Sequence, residues 1–192
     1  MAEVIKIFFD DVVYDFSGKP LFMTIGTFDG VHIGHKKLIS SIIEQAKAND
    51  GVAAIYTFLP YPTMVLATAK PKPMIYGTEK KYEILESYAL AGIFEQKFDN
   101  QFSKISPYNF VTFLKRKFPT LRGISIGEDF KFGHNQSGDV KILKGYAKHF
   151  GIEVTIMPLL VLKGKRVSSS HIRELLEVGH IDLANLMLDR KL

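Results

Sequence analysis

The chain has 192 residues, of which 46% are hydrophobic, 12% aromatic and 23% charged, a profile that excludes disorder as the main state and allows one sizeable core. It contains no Cys, so a disulfide scaffold, a thiol nucleophile, an iron–sulfur cluster and a Cys-type zinc site are excluded by inventory. Lys plus Arg outnumber Asp plus Glu by 25 to 20, for a formal charge of +5; this favours an anionic partner without naming one, and the scattered basic pairs and triplets read as a solvated face rather than a nucleic-acid surface.

The first residues, MAEVIKIFFDD, reach Asp10 and Asp11 before a signal-peptide core can form. No run approaches the roughly 20 apolar residues of a membrane span, so a cytoplasmic protein with no membrane partner is expected. Leu21 to Ile25 reads as a strand, and His35 to Ala48 as a helix with Leu38, Ile42, Ile43 and Ala46 at helical period. Val52 to Phe58 is a second strand. From Pro60 to Pro73 the proline spacing forbids a regular helix or central strand, which leaves a long loop and a candidate lid. Glu79 to Ala91 reads as a helix with Gly92 as its left-handed cap, Ile93 to Lys97 as a strand and Pro107 to Phe118 as a helix. Gly123 to Ile126 and Ile152 to Met157 are further strands around a helix over Val140 to Phe150. Two helices, about Ser169 to Val178 and His180 to Leu188, finish the chain. This alternation predicts an α/β fold with a parallel sheet covered on both faces and ligands at the carboxyl ends of the strands.

Three loops that follow strands carry unusual residues. Gly26 to His35, GTFDGVHIGH, runs a strand into a glycine-punctuated turn and a helix start, where exposed amides attract anions. It is neither a P-loop nor GxGxxG. His32 and His35 flank Gly34, so both imidazoles are placed to meet a phosphate while the bare glycine admits a ligand against the backbone. A zinc pair is disfavoured by the missing carboxylate and Cys ligands. The middle loop, GEDFKFGH, sets Asp129, Phe130 and Phe132 close together; the aromatics suit a core or a planar ring. In the last, KGKRVSSSHIR, a single serine would suffice as N-cap, and Ser168, Ser169 and Ser170 with Arg173 suggest donors converging on polyphosphate oxygens.

GTFDGVHIGH, YTFLPYP, GEDFKFG followed by SGD, and RVSSSHIRELLEVG together resemble the flavin-nucleotide adenylyltransferase domain of the bacterial bifunctional riboflavin kinase/FAD synthetases, a branch of the HxGH nucleotidylyltransferases. The resemblance runs from about Leu21 to Arg190. It implies a Rossmann-like doubly wound sheet with a small flap, and the reaction of FMN with ATP to give FAD and pyrophosphate with Mg²⁺. It implies that His32, His35 and Arg173 are catalytic, and that Gly26, Phe28, Gly34, Ser168 and Ser169 join them in binding ATP. On the flavin side it implies Phe58, Pro60, Pro62, Asp129 and Phe132. Mg²⁺ is expected mainly through ATP phosphates, with Asp29 as an additional candidate ligand. Thr27, Tyr61, His134 and Asp189 depart from the family pattern. Because the relatives continue into a flavokinase, a single domain over residues 1–192 and a separate flavokinase supplying FMN are expected. Two alternatives stay open: a nucleotidylyltransferase for another phosphate acceptor, and a non-catalytic flavin- or nucleotide-binding regulator.

Overall fold

A computed structural model of the chain, describing residues 3–7, 12–66 and 73–192, has a six-stranded parallel sheet at its centre. Its strands are β1 (Val4–Ile7), β2 (Leu21–Ile25), β3 (Val52–Leu59), β4 (Gly92–Lys97), β5 (Leu121–Gly127) and β6 (Glu153–Met157), in the order β1-β4-β3-β2-β5-β6. β2 pairs with β3 on one side and with β5 on the other. Winding therefore reverses at β2, the arrangement of a Rossmann-like sheet, and leaves a crevice at the carboxyl ends of β2 and β5.

Helices cover both faces. Against one lie α4 (Pro107–Lys117) and α5 (Val140–His149), whose Phe110, Val111, Leu114 and Leu143 join Met23, Tyr56 and Phe94 of the sheet in the main core. On the other lie α1 (Ile33–Ala48) and α3 (Thr78–Glu86), which bury Ile39, Ile42 and Leu85. The strands read as apolar runs because both of their faces are buried. The last helices, α6 (Ser169–Glu177) and α7 (Ile181–Leu188), share a smaller core of Val167, Ile172, Leu175 and Met187 that also takes Ile75 and Tyr76.

Four local expectations need correction. The short edge strand β1 was not expected; four residues are too few for periodicity to declare themselves, and pairing with β4 makes the strand. α3 stops at Glu86 rather than Ala91, because the Ala91 amide is already bonded to the Ala53 carbonyl of β3 at 2.8 Å, and Gly92 opens a strand instead of capping a helix. Within the proline-rich segment, Pro62 starts a single helical turn, α2 (Pro62–Val65), where its missing N–H costs nothing. Residues 67–72 of the candidate lid lie outside the described residues. Finally, Val161 and Leu162 (β7) pair antiparallel with Lys165 and Arg166 (β8) through Lys163-Gly164, both at positive φ, the turn that matches hairpin twist.

Candidate active site

A cavity of about 410 Å³ opens at the crevice, floored by the ends of β2, β5 and β6 at Ile25, Gly127 and Met157. The start of α1 supplies His32, Gly34 and His35; the start of α6 supplies Ser168 to Ser170. Two helix N-termini thus face one space, and their amides and dipoles favour an anion there. An apolar wall from Met157 to Leu160 closes one side, and Asp129 pairs with Arg166 of β8 at the rim.

The histidines owe their placement to the turn before them. Phe28 (φ 52°), Gly30 (φ 77°) and Val31 (φ 40°) are all left-handed, and for a β-branched residue such as Val31 that conformation is strained, at about 1–3 kcal/mol. Side chains from distant elements hold it. Arg190 donates to the carbonyls of Gly30 and Val31 at 2.9 and 3.1 Å, and Ser169 donates to the Asp29 carbonyl at 2.9 Å. The Asp29 carboxylate, 1% exposed, accepts from the Ile75 amide at 3.0 Å and pairs with Arg173.

His32, 6% exposed, is the N-cap of α1, and its Nδ1 accepts from the His35 amide at 3.3 Å. The neutral ring therefore carries its proton on Nε2. The two imidazoles stack with centroids 3.7 Å apart, and Phe28 backs His35 at 5.1 Å. Burial pushes His32 down to about 4, against a weaker pull upward from its own backbone hydrogen bond and from Asp129. His35 is lowered well below the usual range by burial first, then by His32 and Lys81. Both rings are neutral near pH 7, and each offers one N–H. A Cβ on Gly34 would lie 3.1 Å from the His32 ring. The bare glycine thus makes room for the partner imidazole, and Gly34 itself lines the cavity.

Several expected site residues take other positions. Arg173 does not line the cavity; its Nε donates to the Pro73 carbonyl at 2.9 Å and its guanidinium is held by Asp29. Ser168 lines the cavity while capping α6, accepting from the His171 amide at 3.2 Å. Gly26 and Phe28 shape the turn without lining the cavity. Asp29 does not fit as a metal ligand, because its carboxylate is already engaged, and among the described residues no three His, Asp or Glu side chains gather as a metal site.

The flavin-side residues do not meet at this cavity. Asp129 lines it together with the histidines. Phe58, near the end of β3, packs on Phe98 and Phe102 at 5.9 and 6.0 Å, Pro60 is exposed, and Pro62 opens α2. Phe132 is 7% exposed and belongs to the main core against Phe110, so its expected contact with a ligand is not met. Residues that sequence reasoning missed are Arg166, Arg190 and, beneath the turn, Lys81. The first sits in the basic run Lys163 to Arg166, which hides it, and the others act through contacts too distant in sequence to show as a pattern.

A family model described as FAD synthetase matches residues 17–171. Curated relatives include the bifunctional riboflavin kinase/FMN adenylyltransferases of Buchnera aphidicola, 30% identical over 88% of this chain and 54% of the relative, and of Escherichia coli K12, 28% identical over 86% and 53%. The FAD synthetase of Listeria monocytogenes is 30% identical over 86% of this chain and 67% of its own length. The chain spans about half the length of the bifunctional relatives. A crystal structure described as a macrolide-efflux protein from Streptococcus pneumoniae superposes with a TM-score of 0.85, covering all of this chain and 72% of the other at 22% identity, a likeness of fold. With its cavity at the sheet's switch point and the family model matched over most of its length, the chain belongs to the FAD synthetase family.

Proposed function

We propose that the chain transfers AMP from ATP to the phosphate of FMN, giving FAD and pyrophosphate. The observation that carries this reading is a neutral, stacked histidine pair at the mouth of two helix N-termini, in a member of the FAD synthetase family. An FMN phosphate oxygen attacks the α-phosphorus of ATP, the bond from that phosphorus to the bridging oxygen breaks, and pyrophosphate leaves with the electron pair. The acceptor is already ionised near neutral pH, with a second pKa of about 6, so no side-chain nucleophile or base is required.

The chain must then position two polyanions and stabilise charge on the reacting phosphates. His32, through Nε2–H, and His35 donate to the α-phosphate region. Ser168 and the amides at the start of α6 serve the β- and γ-oxygens, with Arg166 adding charge at the rim. The wall from Met157 to Leu160 suits a base. Arg173 enters as a positioning residue through Asp29 rather than as a direct phosphate ligand. Mg²⁺ comes as part of the ATP substrate, and no protein step runs through it. Phe58, near the end of β3, and Pro60 and Pro62, just past it, are the proposed flavin side. A riboflavin-phosphorylating activity supplies FMN, and the reaction belongs in the cytoplasm; no helix among the described residues is long and apolar enough to cross a membrane.

The test is incubation with FMN, ATP and Mg²⁺, with FAD resolved by chromatography and pyrophosphate measured alongside. Equimolar FAD and pyrophosphate are expected. Absence of FAD, with AMP transferred instead to phosphopantetheine or nicotinamide mononucleotide, would overturn the choice of acceptor. Nucleotide binding with no transfer to any acceptor would leave a binding protein.

A further inference from the structure

Lys81, on α3, is 1% exposed, and among the described residues its ammonium has a single hydrogen-bond partner, the Thr57 hydroxyl of β3 at 2.8 Å. It lies over the ring faces of Tyr61, 5.1 Å away, and Tyr82, 5.3 Å away. The acids around it are committed elsewhere: Glu95 of β4 bonds the Tyr82 hydroxyl, and Asp29 pairs with Arg173. Among the described residues Lys81 makes no ion pair within 4 Å. A buried ammonium so weakly partnered is a poor source of stability, since an apolar side chain of similar volume would serve as well or better.

What the ammonium does reach is the phosphate-binding turn. Thr57, having accepted from Lys81, donates to the Thr27 carbonyl at 3.3 Å, at the entry of the left-handed turn that sets His32 and His35. Tyr61, 4% exposed and with no partner for its hydroxyl among the described residues, covers the ammonium and keeps water off the charge. An ammonium without a neutralising carboxylate in such a low-dielectric place projects its field further than a surface lysine does.

We propose that Lys81 is a positioning residue of the nucleotide site: through Thr57 it fixes the turn that carries His32 and His35, and its buried positive charge favours the phosphates bound against them. This rests on the adenylyltransferase reading for its substrate, but not on the identity of the acceptor. Burial holds the Lys81 ammonium down to about 8, with Glu95 and Asp29 opposing. The other groups facing it do not titrate there: His35 is lowered, and Tyr61 and Tyr82 are pushed up.

The test compares wild type with Lys81→Met and Lys81→Arg in melting temperature, in binding of α,β-methylene-ATP by calorimetry and in the pH profile of turnover. Lys81→Met is expected to melt no lower than wild type, yet to bind the analogue at least tenfold more weakly. The wild type is expected to lose turnover as pH rises through about 8. Lys81→Met should lack that alkaline limb, and Lys81→Arg should keep the charge and move the limb above the assay range. Wild-type binding and an unchanged limb in Lys81→Met would overturn the proposal. So would losses in both variants that simply track a lowered melting temperature, which would make Lys81 a packing residue. A wild type that binds the analogue but makes no FAD would fail the acceptor reading alone and leave the binding comparison decisive for Lys81.

Discussion

The two sides of the site are built differently. On the nucleotide side, the turn from Thr27 to Val31 has carbonyls bonded by Thr57, Ser169 and Arg190 and its Asp29 carboxylate bonded by Ile75 and Arg173, so donors from β3, α6, the chain end and the segment before α3 converge on five residues. At the end of β3, Phe58 is held by the rings of Phe98 and Phe102, and Pro60, just past the strand, is exposed. A polyanion undergoing bond exchange needs fixed donors aimed at developing charge, whereas a broad apolar ring is recognised by surface and shape. On the proposed adenylyl transfer, the densest bonding is therefore concentrated where charge would move.

Breaking the nucleotide side at its donors should have the largest effect. His35→Ala is expected to lower kcat/KM by roughly 10²–10³, or about 3–4 kcal/mol of transition-state stabilisation, while circular dichroism and melting temperature stay near wild type; near wild-type turnover would remove His35 from the mechanism. Breaking the frame instead should show in stability. Asp29→Ala leaves Arg173 without its partner and the Ile75 amide unbonded, and is expected to cost about 3 kcal/mol in denaturant unfolding, with ATP binding weakened as well. An unchanged midpoint would show that the turn is held without this pair.

Acid reads the buried imidazoles. His32 is lowered to about 4 in the folded chain, against about 6.5 unfolded. Above pH 6.5 both states are neutral and nothing changes; as pH falls from 6.5 toward 4 the unfolded chain takes the proton first, so stability is lost across that window. Between pH 7 and pH 5 this one group accounts for about 2 kcal/mol. The loss should be absent in His32→Asn, which keeps a capping side chain. Equal acid sensitivity in the two proteins would contradict the buried, neutral His32. The smallest of these effects belongs to Gly34→Ala. Its methyl must push the His32 ring from 3.1 Å, and a displacement of that size is expected to reduce kcat/KM about tenfold, visible as a higher KM for ATP with KM for FMN unchanged.

How legible this was in the sequence depended on how local each signal is. The strand and helix alternation, the helix starting beside His32-Ile33-Gly34-His35 and the serine that caps α6 are short-range patterns, and each has its counterpart in the fold. Arg190, by contrast, acts on a carbonyl 160 positions away and Lys81 on a hydroxyl 24 positions away, and no spacing rule connects them. Arg173 stands at the expected place but with a different partner, because Asp29, three-quarters of the chain earlier, claims its guanidinium. The resemblance implies a flavin-side Phe132, and the sequence offers no correction, because an aromatic beside glycines looks the same in a binding loop and in a core. A Cβ on Gly138 would come within 2.6 Å of the Phe132 ring, so that glycine makes room for a packed phenyl group.

The central claim, that His32 and His35 form a neutral donor pair for the phosphates of ATP, is tested most directly by imidazole ¹⁵N resonances, followed against pH and against added α,β-methylene-ATP. The account predicts that in the free protein both rings stay neutral down to pH 5.5, with His32 protonated on Nε2, and that the nucleotide shifts the resonances of both. A ring titrating near 6.5 in the free protein, or a pair left unmoved by saturating nucleotide, would contradict it.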